Sequence, residues 1–485
     1  MISKVMRLKN IFYTLGIVLM CFASFMLVPL LAALYYREER ASQTMLVCCL
    51  VTFLFGLLLR IRSRIEEISM KDAFGIVTFG WCVCCIFGAM PYMLPPVRLC
   101  VVDALFESMS GLTTTGASIF TDVEGLPRSV LLWRGLTQWI GGLGILFIVI
   151  VAFPFIGSTG LRISVAEIGV LSRRIRPRIW ETGLILAKIY LSLTLLEIGL
   201  LSLAGVPFFE SVCHSFSNIS TGGFSPLNGS IGSYRSIYIE LIVIFFMVTS
   251  GINFTLYHRF FAGEKGAFFK STELKVYIWI LVFAGGLCTL GLWLQGPAGL
   301  GFFDALREGT FQAISIGTTT GFVVTDFGQW PRVNQFVLLI LMVIGGCTGS
   351  TAGALKVRRL IILSKVVFRE FRLLLRPDQV IRIKMDGEAI EEEVVRRLVG
   401  LVTLWIFLFV VVSAGLLILG LGFSTSISAA LASLGNIGPG LADVSSNYHA
   451  IPHIGKIILT LTMLIGRLEI FTVLILLHPL CWRQA

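Results

Sequence analysis

Four short runs in this chain share residue types that favour exposed backbone oxygen. They are Thr113–Gly116 (TTTG), Ser220–Gly223 (STGG), Thr318–Gly321 (TTTG) and Gly435–Gly438 (GNIG), and their last glycines are 107, 98 and 117 residues apart. In each, small or β-branched residues precede a glycine, which can take backbone conformations closed to other residues. Such a turn lets successive carbonyls point the same way. Four of them around one axis would form a ring of oxygens able to replace the water shell of an alkali cation. The lining residues would be Thr114, Thr115 and Gly116, then Thr221, Gly222 and Gly223, then Thr319, Thr320 and Gly321, and last Asn436, Ile437 and Gly438. The fourth run departs from the pattern at Asn436 and Ile437, and Ala117 stands where the second and third runs have Phe224 and Phe322.

Two further features belong to the same chemistry. Ile344–Lys356 (IGGCTGSTAGALK) carries Gly345, Gly346, Gly349 and Gly353 within nine residues. A regular helix there is weak. Either an unwound loop covers the pathway, or small residues pack closely against neighbouring helices. Arg467 lies about 14 residues, or about 20 Å, inside an apolar segment. A buried arginine costs at least about 2.5–3.5 kcal/mol and normally faces a cavity or a partner. It faces the ion pathway, or it pairs with Glu469 or Glu197.

Other candidate sites are weaker. His449 and His453 are spaced i, i+4, but Pro452 intervenes and no third ligand is near in sequence. The eleven cysteines show no CxxC pair with metal spacing and read as small apolar residues in membrane helices. Neither a Walker A run nor a strand-led GxGxxG is present, so the chain itself binds no nucleotide, and no organic cofactor is expected.

The elements that must position these residues are membrane helices. Of 485 residues, 56% are hydrophobic and 14% charged, with a mean hydropathy of +0.88. Such composition places the chain in the bilayer. The net charge of +11 does not imply nucleic acid, because the basic residues fall in loops between apolar segments. Spanning segments are expected at about 10–35, 43–60, 73–95, 131–156, 183–205, 236–258, 273–295, 333–364, 397–421 and 453–479. The first is too long for a signal peptide and reads as a retained helix. Segments near 103–112, 210–219, 304–316 and 425–434 are too short to cross. Each precedes one glycine turn, and non-helical backbone at that depth requires protein or water around it.

Charge sets the orientation. Arg60, Arg62, Arg64 and Lys71 share one loop, Arg173, Arg174, Arg176 and Arg178 another, and Lys265, Lys270 and Lys275 a third. The stretch 356–397 adds Lys356, Arg358, Arg359, Lys365, Arg369, Arg372 and Arg376. Taking these as cytoplasmic places both termini inside and sends all four half-helices in from outside. Their negative C-terminal ends then aim at the pore. Thirteen residues before each filter glycine stand Asp103, Glu210, Glu308 and Thr425, and six before stand Ser110, Ser217, Ser315 and Ala432. The acids suit helix N-termini and add negative field at the mouth. The expected fold is an all-α polytopic membrane protein. An N-terminal helix pair (1–70) precedes four parallel helix–pore loop–helix repeats around a central pore, at 71–181, 182–271, 272–392 and 393–485.

Gly111–Gly116, Ser217–Ser225 (SNISTGGFS), Asn436–Gly440 (NIGPG) and Gly466–Phe471 (GRLEIF) resemble the Trk/Ktr/HKT superfamily of potassium transporters. With the extra N-terminal helix pair, the chain is most similar to the TrkH-type subunits of bacterial potassium uptake systems. The resemblance implies potassium as the transported ion, since glycine stands at all four filter positions, whereas HKT relatives with serine at the first favour sodium. It also implies a gate formed by the intramembrane loop together with Arg467. The partners it implies are a cytoplasmic nucleotide-binding regulatory subunit resembling TrkA and a second copy in a homodimer. The expected place is the cell inner membrane, in contact with lipid. A sodium- or proton-coupled symporter is the alternative within transport. A membrane enzyme would need titratable residues that converge in the membrane, and those here do not cluster.

Overall fold

The computed structural model describes residues 6–63, 69–151, 179–297 and 300–482. Arg64, Arg173, Arg174, Arg176 and Arg178 lie outside the described residues, and the fourth expected span is described only as far as Val151. The fold is almost wholly helical. The exception among the described residues is a hairpin of two two-residue strands, Lys384–Met385 with Glu388–Ala389, in the basic stretch.

Six described helices are long and apolar enough to cross a bilayer unbroken: Leu8–Tyr35, Glu39–Ile61, Lys71–Met93, Gly183–Leu203, Thr272–Gln295 and Glu392–Ile418. The first two form the N-terminal pair. They cross where Gly16 and Gly56 face each other so closely that a Cβ on Gly16 would stand 2.6 Å from the Gly56 carbonyl oxygen. Arg128–Val151 is the described part of the span that follows the first filter run. The outward faces are apolar, with Trp279, Phe283, Phe407 and Phe303 exposed, as contact with hydrocarbon requires. The chain is a multi-pass membrane protein.

The four half-helices are Val101–Leu112, Phe208–Ile219, Phe302–Gly317 and Phe423–Gly435. Asp103 and Glu210 lie in first turns as expected. Glu308 does not. The third half-helix is longer, so its first-turn acid is Asp304 and Glu308 sits one turn deeper. Asp103 is also not a free charge, because Lys456 Nζ donates to its Oδ1 at 2.7 Å.

The largest difference from the sequence reading concerns the helices that follow the four glycine runs. Three of the ten expected spans are not continuous. The break in 333–364 was expected: a helix Arg332–Ile344 ends, and another, Val357–Leu375, begins after Lys356. The breaks in 236–258 and 453–479 were not. Ile237–Ser250 turns by 87° into Phe254–Phe261, and His453–Arg467 turns by 108° into Phe471–Leu477. At the first, Asn253 starts the new helix by accepting the Thr255 N–H at 2.9 Å. At the second, Glu469 and Ile470 take left-handed φ angles of 57° and 47°. Asn253 is a helix-start signal, and Glu469 is a charge inside an apolar run.

Candidate ion pathway

The four half-helices end alike. Thr114, Thr221, Thr319 and Asn436 have φ angles of 51°, 53°, 61° and 53°. The next N–H reaches back to the helix: Thr115 to Ser110 O at 2.8 Å, Gly222 to Ser217 O at 2.7 Å, Thr320 to Ser315 O at 2.9 Å and Ile437 to Ala432 O at 2.9 Å. The left-handed residue itself bonds back three positions in all four. This is the Schellman way of closing a helix, with one residue in the left-handed region. Asn436 is therefore no breach of the repeat, since asparagine tolerates that conformation. The threonines are the unusual ones, because a β-branched residue there is strained.

Two residues on, the last glycine of each run meets the following repeat. A Cβ on Gly116 would lie 2.1 Å from Gly222 O, one on Gly223 2.0 Å from Thr320 O, one on Gly321 2.1 Å from Ile437 O, and one on Gly438 2.5 Å from Thr115 O. The contacts run from repeat one to two, three and four, then back to one. The four runs thus form a closed ring in which Gly116, Gly223, Gly321 and Gly438 are each required by a neighbouring backbone carbonyl.

Beneath the ring lies the glycine-rich segment. Gly345 and Gly349 have φ angles of 71° and 75°, so the segment is a loop and not a packed helix. Gly346 turns within it, with Ala352 Cβ 2.6 Å from where its own would be. The loop touches three half-helix ends. Thr351 Oγ1 donates to Ile219 O at 3.1 Å, the Gly353 N–H to Thr319 Oγ1 at 2.9 Å, and the Ala354 N–H to Gly435 O at 3.0 Å. The helix breaks clasp one another around it. The Cys347 N–H donates to Gly251 O, and the Phe254 N–H to Gly349 O.

Arg467 joins this assembly. It is buried, and its Nη1 donates to Thr351 O at 2.8 Å. Neither carboxylate offered as a partner holds it. Glu469 takes Lys356 at 3.0 Å and Arg359 at 2.7 Å, and Glu197 accepts from Asn218 Nδ2 at 2.5 Å. Nε and Nη2 of Arg467 have no hydrogen-bond partner among the described residues. A cavity of about 20 Å³ adjoins it, lined by Gly353, Lys356, Arg359 and Glu469 among others, room enough for one water.

This arrangement has known counterparts. The family model described as "TrkH: Cation transport protein" matches residues 41–287 and 302–480. The chain belongs to the TrkH family. It is a cation transporter and not an enzyme. Among the TrkH family, the Trk system potassium uptake protein TrkH of Vibrio parahaemolyticus is 37% identical over 99% of this chain and 100% of its own length. That of Escherichia coli K12 is 33% identical with the same coverage. The crystal structure of the potassium transporter TrkH from Vibrio parahaemolyticus is similar with a TM-score of 0.90 at 35% identity, covering 99% of this chain and 100% of that one.

Several residues that hold the ring of this TrkH-family chain escaped sequence reasoning. Gln138 reaches from the first repeat to the second, with Nε2 donating to Gly222 O at 2.7 Å and Oε1 accepting from the Phe224 N–H at 3.0 Å. Tyr448 Oη donates to Gly438 O at 2.7 Å, while Asn436, already a candidate from the sequence, donates from Nδ2 to Thr115 Oγ1 at 3.0 Å. Behind the first two glycine runs, Arg134 and Glu107 form a buried pair at 2.8 Å. Arg134 also donates to Ser225 O and Ser118 Oγ, and its guanidinium lies 4.2 Å from the Phe224 ring centroid. Phe224 is thus a platform for that cation. Two opposite charges in apolar surroundings were the available signal, since such residues are paired or functional.

Proposed function

We propose that this chain carries potassium ions into the cell across the inner membrane through the closed ring of carbonyls. The observation that supports this most is the cyclic glycine–carbonyl contact, which needs all four repeats and leaves oxygen as the chemistry on the axis. The named activity of the similar Trk proteins agrees with it. The repeats are taken as 71–181, 182–271, 272–392 and 393–485, after a helix pair at 1–70, with both termini cytoplasmic because basic loops stay inside.

In this reading the ion sheds water at the ring, then meets the loop Gly345–Gly353 and the Arg467 charge, which together close the path. The helix Val357–Leu375 begins where the loop ends. A cytoplasmic nucleotide-binding subunit resembling TrkA that moved this basic helix would act on the loop directly. A homodimer is part of the same proposal. The test is ion flux by purified protein in liposomes under potassium and sodium gradients, with and without the cytoplasmic subunit. Potassium and rubidium should permeate well ahead of sodium, and Gly116→Ser should narrow that preference. Equal sodium and potassium flux in the parent would overturn the proposal.

A further inference from the structure

Where the first half-helix begins, three side chains from two repeats converge. Cys100 is the residue preceding Val101–Leu112, and Asp103 lies in its first turn. His453 is the first residue of the last span. Sequence reasoning found no third ligand for His453, yet the fold brings one potential ligand atom from each of these residues within 4.8 Å of the other two. Cys100 and His453 are exposed, and Asp103 is buried. His453 Nδ1 lies 3.9 Å from Asp103 Oδ1. Lys456 uses that same oxygen, which leaves Oδ2 for another cation.

We propose that Cys100, Asp103 and His453 form a site for a borderline or soft divalent cation, Zn2+ or Cd2+, with water as the fourth ligand. The donor set decides the class. A thiolate and an imidazole beside one carboxylate suit tetrahedral zinc, whereas Ca2+ and Mg2+ take shells of oxygen. Ligand atoms around tetrahedral zinc stand about 3.3–3.8 Å apart, from bonds of about 2.0–2.3 Å. Closing from 4.8 Å takes about 1 Å, within reach of two exposed side chains. Binding releases the Cys100 proton to solvent as the thiolate forms. The Lys456 ammonium opposes the incoming charge, so the site is weaker and more readily reversible than a structural zinc centre. Its occupant ties the outer ends of the first and fourth repeats. Access from outside the cell rests on the orientation proposed above, but the metal chemistry does not.

The experiment titrates Cd2+ into the full-length protein in lipid nanodiscs, following the thiolate-to-cadmium ultraviolet band and bound metal by equilibrium dialysis. The parent should bind one Cd2+ that Cys100→Ser loses and that His453→Ala weakens by at least about tenfold. Excess Ca2+ should not displace it. Zn2+ should shield Cys100 from a membrane-impermeant maleimide in the parent but not in His453→Ala. Unchanged binding in Cys100→Ser, or displacement by Ca2+, overturns the site, as does equal shielding in His453→Ala. Both variants alter exposed side chains, so both should fold. Maleimide labelling from the cytoplasmic face alone would overturn the orientation while metal binding still supported the site.

Discussion

Replacing Arg467 separates two roles that the structure gives it. Its Nη1 holds Thr351 O of the loop, and its charge has no carboxylate partner among the described residues. A potassium ion about 5 Å from that charge meets a repulsion of about 3 kcal/mol at an effective dielectric constant of about 20. Loss of a charged hydrogen bond adds about 1.5–3 kcal/mol that no longer holds the loop. The charge term alone should therefore make Arg467→Ala raise flux by about 100-fold or more, since about 1.4 kcal/mol is a factor of ten, and the loosened loop should raise it further. Arg467→Lys keeps the charge but loses the planar fork, so it should stay close to the parent. A structural ion pair would behave oppositely, because alanine would leave a buried carboxylate alone at about 3–5 kcal/mol. The assay is rubidium uptake per correctly inserted protein in a potassium-transport-deficient strain. Lower flux together with lower insertion in Arg467→Ala would refute the pathway reasoning. Equal increases in both variants would refute the charge barrier and leave the loop contact.

The remaining expectations concern the ring and its supports. Gly116→Ser puts a side chain 2.1 Å from Gly222 O, so sodium uptake should rise relative to rubidium, measured in the same strain; unchanged selectivity would remove Gly116 from the filter. Gly353→Ala places a Cβ 2.2 Å from Gly435 O and should displace the loop, raising basal flux without the cytoplasmic subunit. Deletion of several residues from Gly345–Gly353 should do the same, and a folded deletion that conducts like the parent would make the loop packing. Glu469→Gln frees Lys356 and Arg359 from their shared carboxylate, which is 34% exposed. After solvent screening that amounts to about 1 kcal/mol, seen as a several-fold rise in basal flux in liposomes. Glu107→Gln leaves the buried Arg134 short of its partner charge and should lower thermal stability in detergent by about 3 kcal/mol or more, read as a shift in the unfolding midpoint.

The half-helices were legible because their length and glycine endings are local signals, and their observed limits lie within about two residues of the expected ones. The cyclic order of the ring was not legible, since it depends on which repeat stands beside which. Gly251 is one small residue in a long apolar run, and by itself it does not mark a bend. The bend needs Tyr277, whose Oη stands 2.2 Å from where a Gly251 Cβ would be, and the Cys347 N–H that donates to Gly251 O. Both come from elsewhere in the chain. Gln138 carried no signal because a lone amide in an apolar helix has many innocent explanations. Glu107 and Arg134 did carry one, but pairing residues 27 apart requires knowing that the half-helix folds back against the next span.

A ring built from four identical subunits must repeat any gate four times. Here one chain supplies all four quarters, so each inner helix is free to break differently: an 87° bend after the second filter run, a loop after the third and a 108° bend after the fourth. On the proposed reading, selectivity can stay fourfold while closure is single. A barrier of one loop would open in one event, with no need for subunits to move in concert, and its response to a regulator would have no built-in steepness from the pore itself. Any cooperativity measured in such a transporter would therefore have to originate outside the ring, in what pulls on the helix below it.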